Sequence, residues 1–197
     1  MKKKEAILGV AARLFSVRGF KDTHVSEISK VTGAAEGTVF YHFKSKEELF
    51  LAILKDLKDR IVEEFQNFID TRRFKNGMDM MDGAVSFYLH LAGIMEEEFL
   101  LLHRHDAYEL AQSNPVCREY LEALYNCLVD IFERAIVLGQ GDGSIGDVPP
   151  RKVAMIIFAM VDALVRLNTY NLYDAGTLYD ELIKACHRIL GDPKTSD

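Results

Sequence analysis

The spacing of the apolar residues is the feature that most constrains how this chain folds. In the first segment Ile7, Val10, Ala11, Leu14 and Phe15 recur at intervals of three and four residues, which places them on one face of a helix. Similar spacing continues almost to the end of the chain, and no stretch alternates apolar and polar residues for long enough to predict a strand. The pattern predicts an all-α fold.

Breaks in this pattern divide the chain into about nine predicted helices. Gly19 and Gly33 separate three short segments at the start of the chain, and Ser45 with Glu48 forms a predicted capping box that begins a long fourth helix. The later periodic segments are 77–94, 97–112, 115–138, 150–170 and 174–190. We expect a small helical domain over residues 1–46 and a larger helical domain over 47–197.

Charge is distributed unevenly between these two parts. Residues 1–46 contain nine Lys or Arg against four acidic residues, a net charge of +5, and the remainder carries a net charge of -11. A basic segment in an acidic protein suits contact with a polyanion, although an accidental lysine-rich terminus gives the same numbers.

Other compositional features narrow the class of protein. The longest apolar run, 153–161, is much shorter than the roughly 20 residues that a membrane helix needs. Arginines interrupt the apolar start, which argues against a signal peptide. Three cysteines without a CxxC pair argue against a disulfide framework and a thiolate zinc site. We expect a cytoplasmic protein.

The second and third predicted helices lie inside the basic segment and are joined by a glycine turn. Such short helices bury little surface alone, so they must pack against their neighbours. A helix-turn-helix has this arrangement, with the second helix presenting its N-terminal end to the DNA major groove. Small residues at the start of that helix leave room for DNA, and Thr38, Tyr41 and His42 can hydrogen-bond to phosphates or bases.

The sequence here resembles a known family. The stretch from Ile28 to Leu49, ISKVTGAAEGTVFYHFKSKEEL, resembles the signature of TetR-type (TetR/AcrR) transcriptional regulators, and AARLF at 11–15 matches as well. The resemblance is specific over about residues 5–55. It implies a three-helix DNA-binding domain followed by a larger helical domain that binds a ligand and dimerises. We therefore expect a transcriptional regulator that acts as a repressor and is not an enzyme.

The resemblance also implies roles for individual residues. It implies that Thr38, Tyr41 and Lys46 contact the DNA backbone. The positions that would face or flank the groove are Ser26, Ala34, Ala35, Glu36, Gly37, Phe40 and His42. Glu36 either accepts a hydrogen bond from cytosine or stabilises the start of its helix. Ala35 stands where many relatives carry a capping serine, whose loss typically costs about 1 kcal/mol.

A regulator of this type would read a near-palindromic operator as a homodimer. We expect the last two helices to form the interface, and packing within one chain is the alternative for their apolar residues. The expected interface residues are Val153, Ile156, Met160, Leu164, Leu167, Leu178, Leu182 and Ile189.

A pocket for a small, largely apolar effector is expected among the middle helices, with plain core packing as the alternative role of each residue. The candidate lining residues are Phe87, Leu91, Phe99, His103, Tyr108, Leu124, Phe158 and Asp162. Asp162 needs a polar partner, and Arg166 lies one helical turn away.

Cofactor and metal chemistry receive no support from the sequence. The string GDGSIG at 141–146 fits GxGxxG but follows a helix, so the dinucleotide interpretation fails. His103 and Asp106 share a helical face, but two ligands do not make a metal site. We therefore expect no cofactor and no metal. A helical enzyme or carrier, and an interaction protein that has lost DNA binding, are the alternative functions.

Overall fold

The computed structural model describes residues 2–191, and these residues form helices and no strand. This confirms the all-α prediction. The helices are α1 (Lys2–Arg18), α2 (Val25–Thr32), α3 (Glu36–His42), α4 (Lys46–Thr71), α5 (Gly77–Ile94), α6 (Glu96–Leu102), α7 (His105–Ser113), α8 (Pro115–Asp142), α9 (Pro150–Thr169), a 3-10 helix (Ala175–Leu178) and α10 (Tyr179–Leu190). Within the described range, none of them has the length and apolar content to cross a membrane.

Residues 2–191 contain one more α-helix than predicted, because the segment 97–112 is divided into α6 and α7. The division falls at Arg104, whose backbone is extended (φ -73°, ψ 146°). Its guanidinium donates a hydrogen bond to the Ser16 carbonyl at 3.2 Å and another to the Asp106 carboxylate at 3.0 Å. This contact with the end of α1 favours a break that the apolar spacing alone does not indicate.

The chain forms two compact units, and both are discontinuous in sequence. The first runs to Val62 and resumes over Met95–Ala123, and the second covers Glu63–Ile94 and continues from Leu124. The chain therefore passes from one unit to the other inside α4, between α5 and α6, and inside α8. The predicted boundary at residue 46 separates two domains by function and not by compactness, so the division into units does not test it. It stays a prediction.

An aromatic cluster lies in the core of the first unit. The ring centroids of Phe15, Phe20 and Phe50 are 5.0 to 5.6 Å apart. Ile7 and Ala11, on the predicted apolar face of α1, are fully buried with Phe15. These contacts hold α1 against the start of α4 and the turn after α1, and α1 also packs against α2 and α3.

In the second unit, the start of α5 lies very close to the end of α8. A Cβ added to Gly77 would lie 2.1 Å from the Gly139 nitrogen, so only glycine fits there. The Asp142 carboxylate accepts a hydrogen bond from the Gly77 N–H at 2.8 Å. Hydrogen bonds from Ser144, together with this one, lower the pKa of Asp142. The glycine-rich segment therefore closes the junction between two helices.

Candidate nucleic-acid interface

The turn that leads into α2 and the turn that ends it are both well defined. Before α2, His24 is extended, and the Glu27 carboxylate accepts a hydrogen bond from the His24 N–H at 3.2 Å. This bond and the neighbouring Arg18 guanidinium hold the pKa of Glu27 below its usual value. Gly33 ends the helix in the left-handed conformation (φ 67°), which favours glycine. The turn directs the chain into α3.

The short helix α3 is held by one apolar side. Val39 is buried within it, and Phe43, directly after it, is buried too. Ala35 has the extended backbone of an N-cap residue but no side-chain oxygen to cap the helix. The opposite side of α3 is open, and Tyr41 is 84% exposed. The arrangement presents polar and aromatic groups on a supported but uncapped helix.

The structure places the predicted DNA-contact residues on α2, on α3, in the turn between them and at the first residue of α4. Those that are exposed are Ser26, Ala35, Glu36, Gly37, Phe40 and Tyr41. Those that are half-buried are Ala34, Thr38, His42 and Lys46. A Cβ added to Gly37 would have no heavy atom within 4 Å, so the backbone of α3 is open to close approach at this point. Their contact with DNA stays a prediction.

Lys46 has a role inside the fold that the sequence did not reveal. Its ammonium donates hydrogen bonds to the carbonyls of Phe20 at 2.7 Å and Thr23 at 3.1 Å, and it lies 4.5 Å from the centroid of the Phe20 ring. A third carbonyl, that of Lys21, is 3.4 Å away. The side chain thus holds the turn between α1 and α2, and its predicted phosphate contact would be additional.

The start of α4 confirms the predicted pairing of Ser45 and Glu48, with one difference. The Ser45 hydroxyl accepts a hydrogen bond from the Glu48 N–H at 3.0 Å. The Glu48 carboxylate accepts from the Lys44 N–H at 2.8 Å, one residue before the position that a standard capping box uses. This fixes the chain between α3 and α4.

Some basic side chains of the first unit are neutralised and others are available. Arg13, Arg18 and Lys21 form ion pairs with Glu97, Glu27 and Glu109. The exposed side chains that have no acidic partner within the part of the chain that the structure describes include Lys3, Lys30 and Lys44. Unpaired surface lysines are suited to contact phosphates.

Comparison with protein families identifies this region. The model of the bacterial regulatory proteins of the tetR family matches residues 7–53. Residues 7–53 therefore match the N-terminal domain of this family. The chain is 35% identical over 69 residues to the transcriptional repressor KstR2 of Mycolicibacterium smegmatis and 41% identical over 66 residues to the transcriptional regulator QacR of Staphylococcus aureus.

The matches to KstR2 and QacR cover 35% and 34% of this chain, and 34% and 35% of those proteins. Over the whole length, the fold is similar to that of a TetR-family transcriptional regulator from Rhodococcus sp., with a TM-score of 0.78. That alignment covers 97% of this chain and 100% of the other at 20% identity. It supports a TetR-like fold beyond the N-terminal domain.

The predicted pocket residues of the TetR-like fold are divided between the two units. The first unit contains Phe99, His103 and Tyr108, and the second contains Phe87, Leu91, Leu124, Phe158 and Asp162. In the second unit the Tyr88 hydroxyl donates a hydrogen bond to Asp162 at 2.6 Å, and the Phe158 ring centroid lies 6.1 Å from that of Tyr88. The sequence did not indicate Tyr88, because its partner is 74 residues away. The ligand pocket stays a prediction.

The predicted interface residues differ in exposure. Val153 and Leu182 are buried in their own unit. Ile156 and Leu178 are exposed, and the half-buried residues are Met160, Leu164, Leu167 and Ile189. Six of the eight side chains are therefore at least partly accessible to a partner subunit. Dimerisation stays a prediction.

Two of the three cysteines are buried in this fold. Burial raises the pKa of the Cys117 and Cys186 thiols to about 11, so few of them are thiolate at neutral pH. Among residues 2–191 no group of three or more His, Cys, Asp or Glu side chains is placed to hold a metal ion. The region around α3 is the best-supported functional site.

Proposed function

We propose that this chain is a DNA-binding transcriptional regulator, and specifically a cytoplasmic, ligand-responsive repressor that binds a near-palindromic operator as a homodimer. One observation carries the proposal: within the TetR-family domain, α3 is supported from below by Val39 and Phe43 and open on its other side. In a helix-turn-helix, such a helix enters the major groove.

The surface of α3 supports this docking. The exposed Tyr41 hydroxyl and the Thr38 hydroxyl would contact phosphates, and exposed Lys30 and Lys44 would add charge. Ala34, Ala35 and Gly37 would allow close approach, while Ser26, Glu36, Phe40 and His42 would face or flank the bases. Glu36 remains open to two roles, as an acceptor for cytosine or as a favourable charge at the helix start.

The first test is fluorescence anisotropy with labelled DNA from upstream of the protein's own gene, beside a scrambled duplex. We expect preferential binding that weakens with salt, because phosphate contacts release counterions. Tyr41→Ala should weaken binding at least about tenfold, since it removes a contact but no internal support. Equal binding to both duplexes, or unchanged affinity of this variant, would contradict the docking.

Dimerisation through α9, α10 and the 3-10 helix between them would bring a second copy of α3 to the operator. The exposed or half-buried residues proposed for the interface are Ile156, Met160, Leu164, Leu167, Leu178 and Ile189. Sedimentation velocity should show a dimer that Ile156→Glu dissociates. Ile94 is also an exposed apolar residue, on another helix, so Ile94→Glu is the control and should leave the dimer intact. A monomeric wild type would contradict the proposed assembly.

Repression would respond to a largely apolar effector bound by the larger domain. Such a ligand changes operator affinity only if it binds the two states differently, and a hundredfold change corresponds to about 2.7 kcal/mol of coupling. Asp162→Asn tests whether the carboxylate beside Tyr88 takes part. An effector response equal to that of the wild type would make Asp162 a structural residue.

A further inference from the structure

A groove in the second unit lies outside every predicted site. It has a volume of about 380 Å³ and is formed by the end of α4, the segment after it, the start of α5 and the last turns of α8. Its lining residues are Ile69, Arg72, Phe74, Met80, Arg134, Val137 and Leu138. None of them is among the predicted pocket or interface residues.

Most of this lining is apolar, and part of it is left in water. Val137 is 55% exposed and Leu138 is 44% exposed, next to each other near the end of α8. Exposed neighbouring apolar side chains beside a cavity gain free energy when an apolar group covers them. The groove therefore favours an occupant with a hydrocarbon part.

The polar part of the lining consists of two arginines. The Arg72 guanidinium carbon lies 5.6 Å from the ring centroid of Phe68 and 5.7 Å from that of Phe74, so two cation–π contacts hold it in place. These contacts leave its N–H groups without an acceptor. Within residues 2–191, neither Arg72 nor Arg134 has a side-chain hydrogen bond or an ion pair.

The lack of a carboxylate partner is notable because acidic residues outnumber basic ones by 13 to 9 in the described part of this unit. The carboxylates close in sequence to Arg72 and Arg134 accept hydrogen bonds from donors other than these two arginines. Asp70 accepts from the Gln66 side chain, Asp79 accepts from the Lys75 N–H, and Glu133 pairs with an arginine of α9. The two guanidiniums of the groove are thus left for an external anion.

We propose that this groove binds a free fatty acid, with the hydrocarbon chain along the apolar lining and the carboxylate on Arg72 and Arg134. A guanidinium presents paired N–H donors that match a carboxylate. The volume lies near the lower end of the roughly 300–1,000 Å³ range of small-molecule sites, which suits one medium-length chain. This proposal does not depend on DNA binding.

Isothermal titration calorimetry of the full chain without DNA tests it, using decanoate, decanol and decyltrimethylammonium below their aggregation concentrations. We expect decanoate to bind at least about tenfold more tightly than the other two, since only it carries a group that the arginines can pair with. Equal binding of decanol, or tighter binding of the cation, would overturn the proposal.

Variants locate the site. Arg72→Met with Arg134→Met keeps much of the apolar surface of both side chains and should weaken decanoate binding at least about tenfold. Arg73→Met removes an exposed arginine that does not line the groove and should leave affinity unchanged. Unchanged binding in the double variant, with circular dichroism showing a folded protein, would place decanoate elsewhere and overturn the proposal. An equal loss of decanoate affinity in Arg73→Met would also overturn the proposal, because the positive charge of the surface as a whole would then explain the affinity.

Discussion

The first unit uses polar side chains in opposite ways in two neighbouring places. On α3 they point outward, and Tyr41 is 84% exposed. In the turn between α1 and α2 they point inward: Thr23 is fully buried with its hydroxyl on the Gly19 carbonyl at 2.8 Å, and Lys46 and Arg104 donate to other carbonyls. The comparison teaches that one short sequence motif can contain both the residues proposed to contact DNA and residues that hold the proposed contact surface in place.

The largest effect is expected where the turn is most constrained. Gly19 has φ +96°, and an added Cβ would lie 2.5 Å from a guanidinium nitrogen of Arg104. Gly19→Ala should lower the free energy of unfolding by about 3 kcal/mol, through backbone strain and displacement of Arg104. Urea denaturation followed by circular dichroism measures this.

Gly9→Ala is the matched control, inside the helix α1 that Gly19 follows. An added Cβ there meets nothing within 4 Å, so the variant should gain about 0.5–1 kcal/mol of stability. If both variants unfold at the wild-type urea concentration, the turn is not a constrained support and the contrast with α3 fails.

An intermediate effect is expected at Lys46, the residue that could belong to either group. Lys46→Met keeps an apolar stem but removes the donor to the Phe20 and Thr23 carbonyls, so the free energy of unfolding should fall by about 2 kcal/mol. Exposed Lys44 has no side-chain partner in the described structure, and Lys44→Met should change stability by less than about 0.5 kcal/mol. If Lys46→Met is as stable as the wild type but binds the operator weakly, then Lys46 acts as a DNA-contact residue and not as a support of the turn.

The smallest effect is expected at the start of α3. Ala35 already has the extended backbone of an N-cap (φ -63°, ψ 148°), so Ala35→Ser can add the missing cap without rearrangement. We expect about 1 kcal/mol more stability and slower hydrogen exchange of the α3 amides. Faster exchange would show that the added hydroxyl does not cap the helix and that the missing N-cap does not limit the stability of α3.

Local patterns predicted much of this fold. Glycine turns separated the first helices, and the Ser45–Glu48 pair marked the start of α4, because caps and turns depend on residues close in sequence. The break between α6 and α7 was missed because it coincides with a contact between Arg104 and a carbonyl 88 residues away. Such a long-range contact does not change the spacing of apolar residues in the sequence.

The same distinction applies to the sites. The residues of α3 could be listed from the sequence because they are contiguous and their family pattern is specific. The internal role of Lys46 required knowledge of which carbonyls lie 23 to 26 residues away. The groove with Arg72 and Arg134 combines segments more than 50 residues apart, and no spacing rule connects them.

The discontinuity of the first unit limits how freely its parts can be exchanged. Residues 95–123 supply Glu97, Glu109 and Arg104, which are bound to α1 and to the turn after it. A chimaera that grafts only the family-matched segment onto another regulator would leave these partners behind. A transfer of the proposed operator preference therefore calls for substitutions on the surface of α3 alone, with the recipient's own turn and its supporting helices kept as a set.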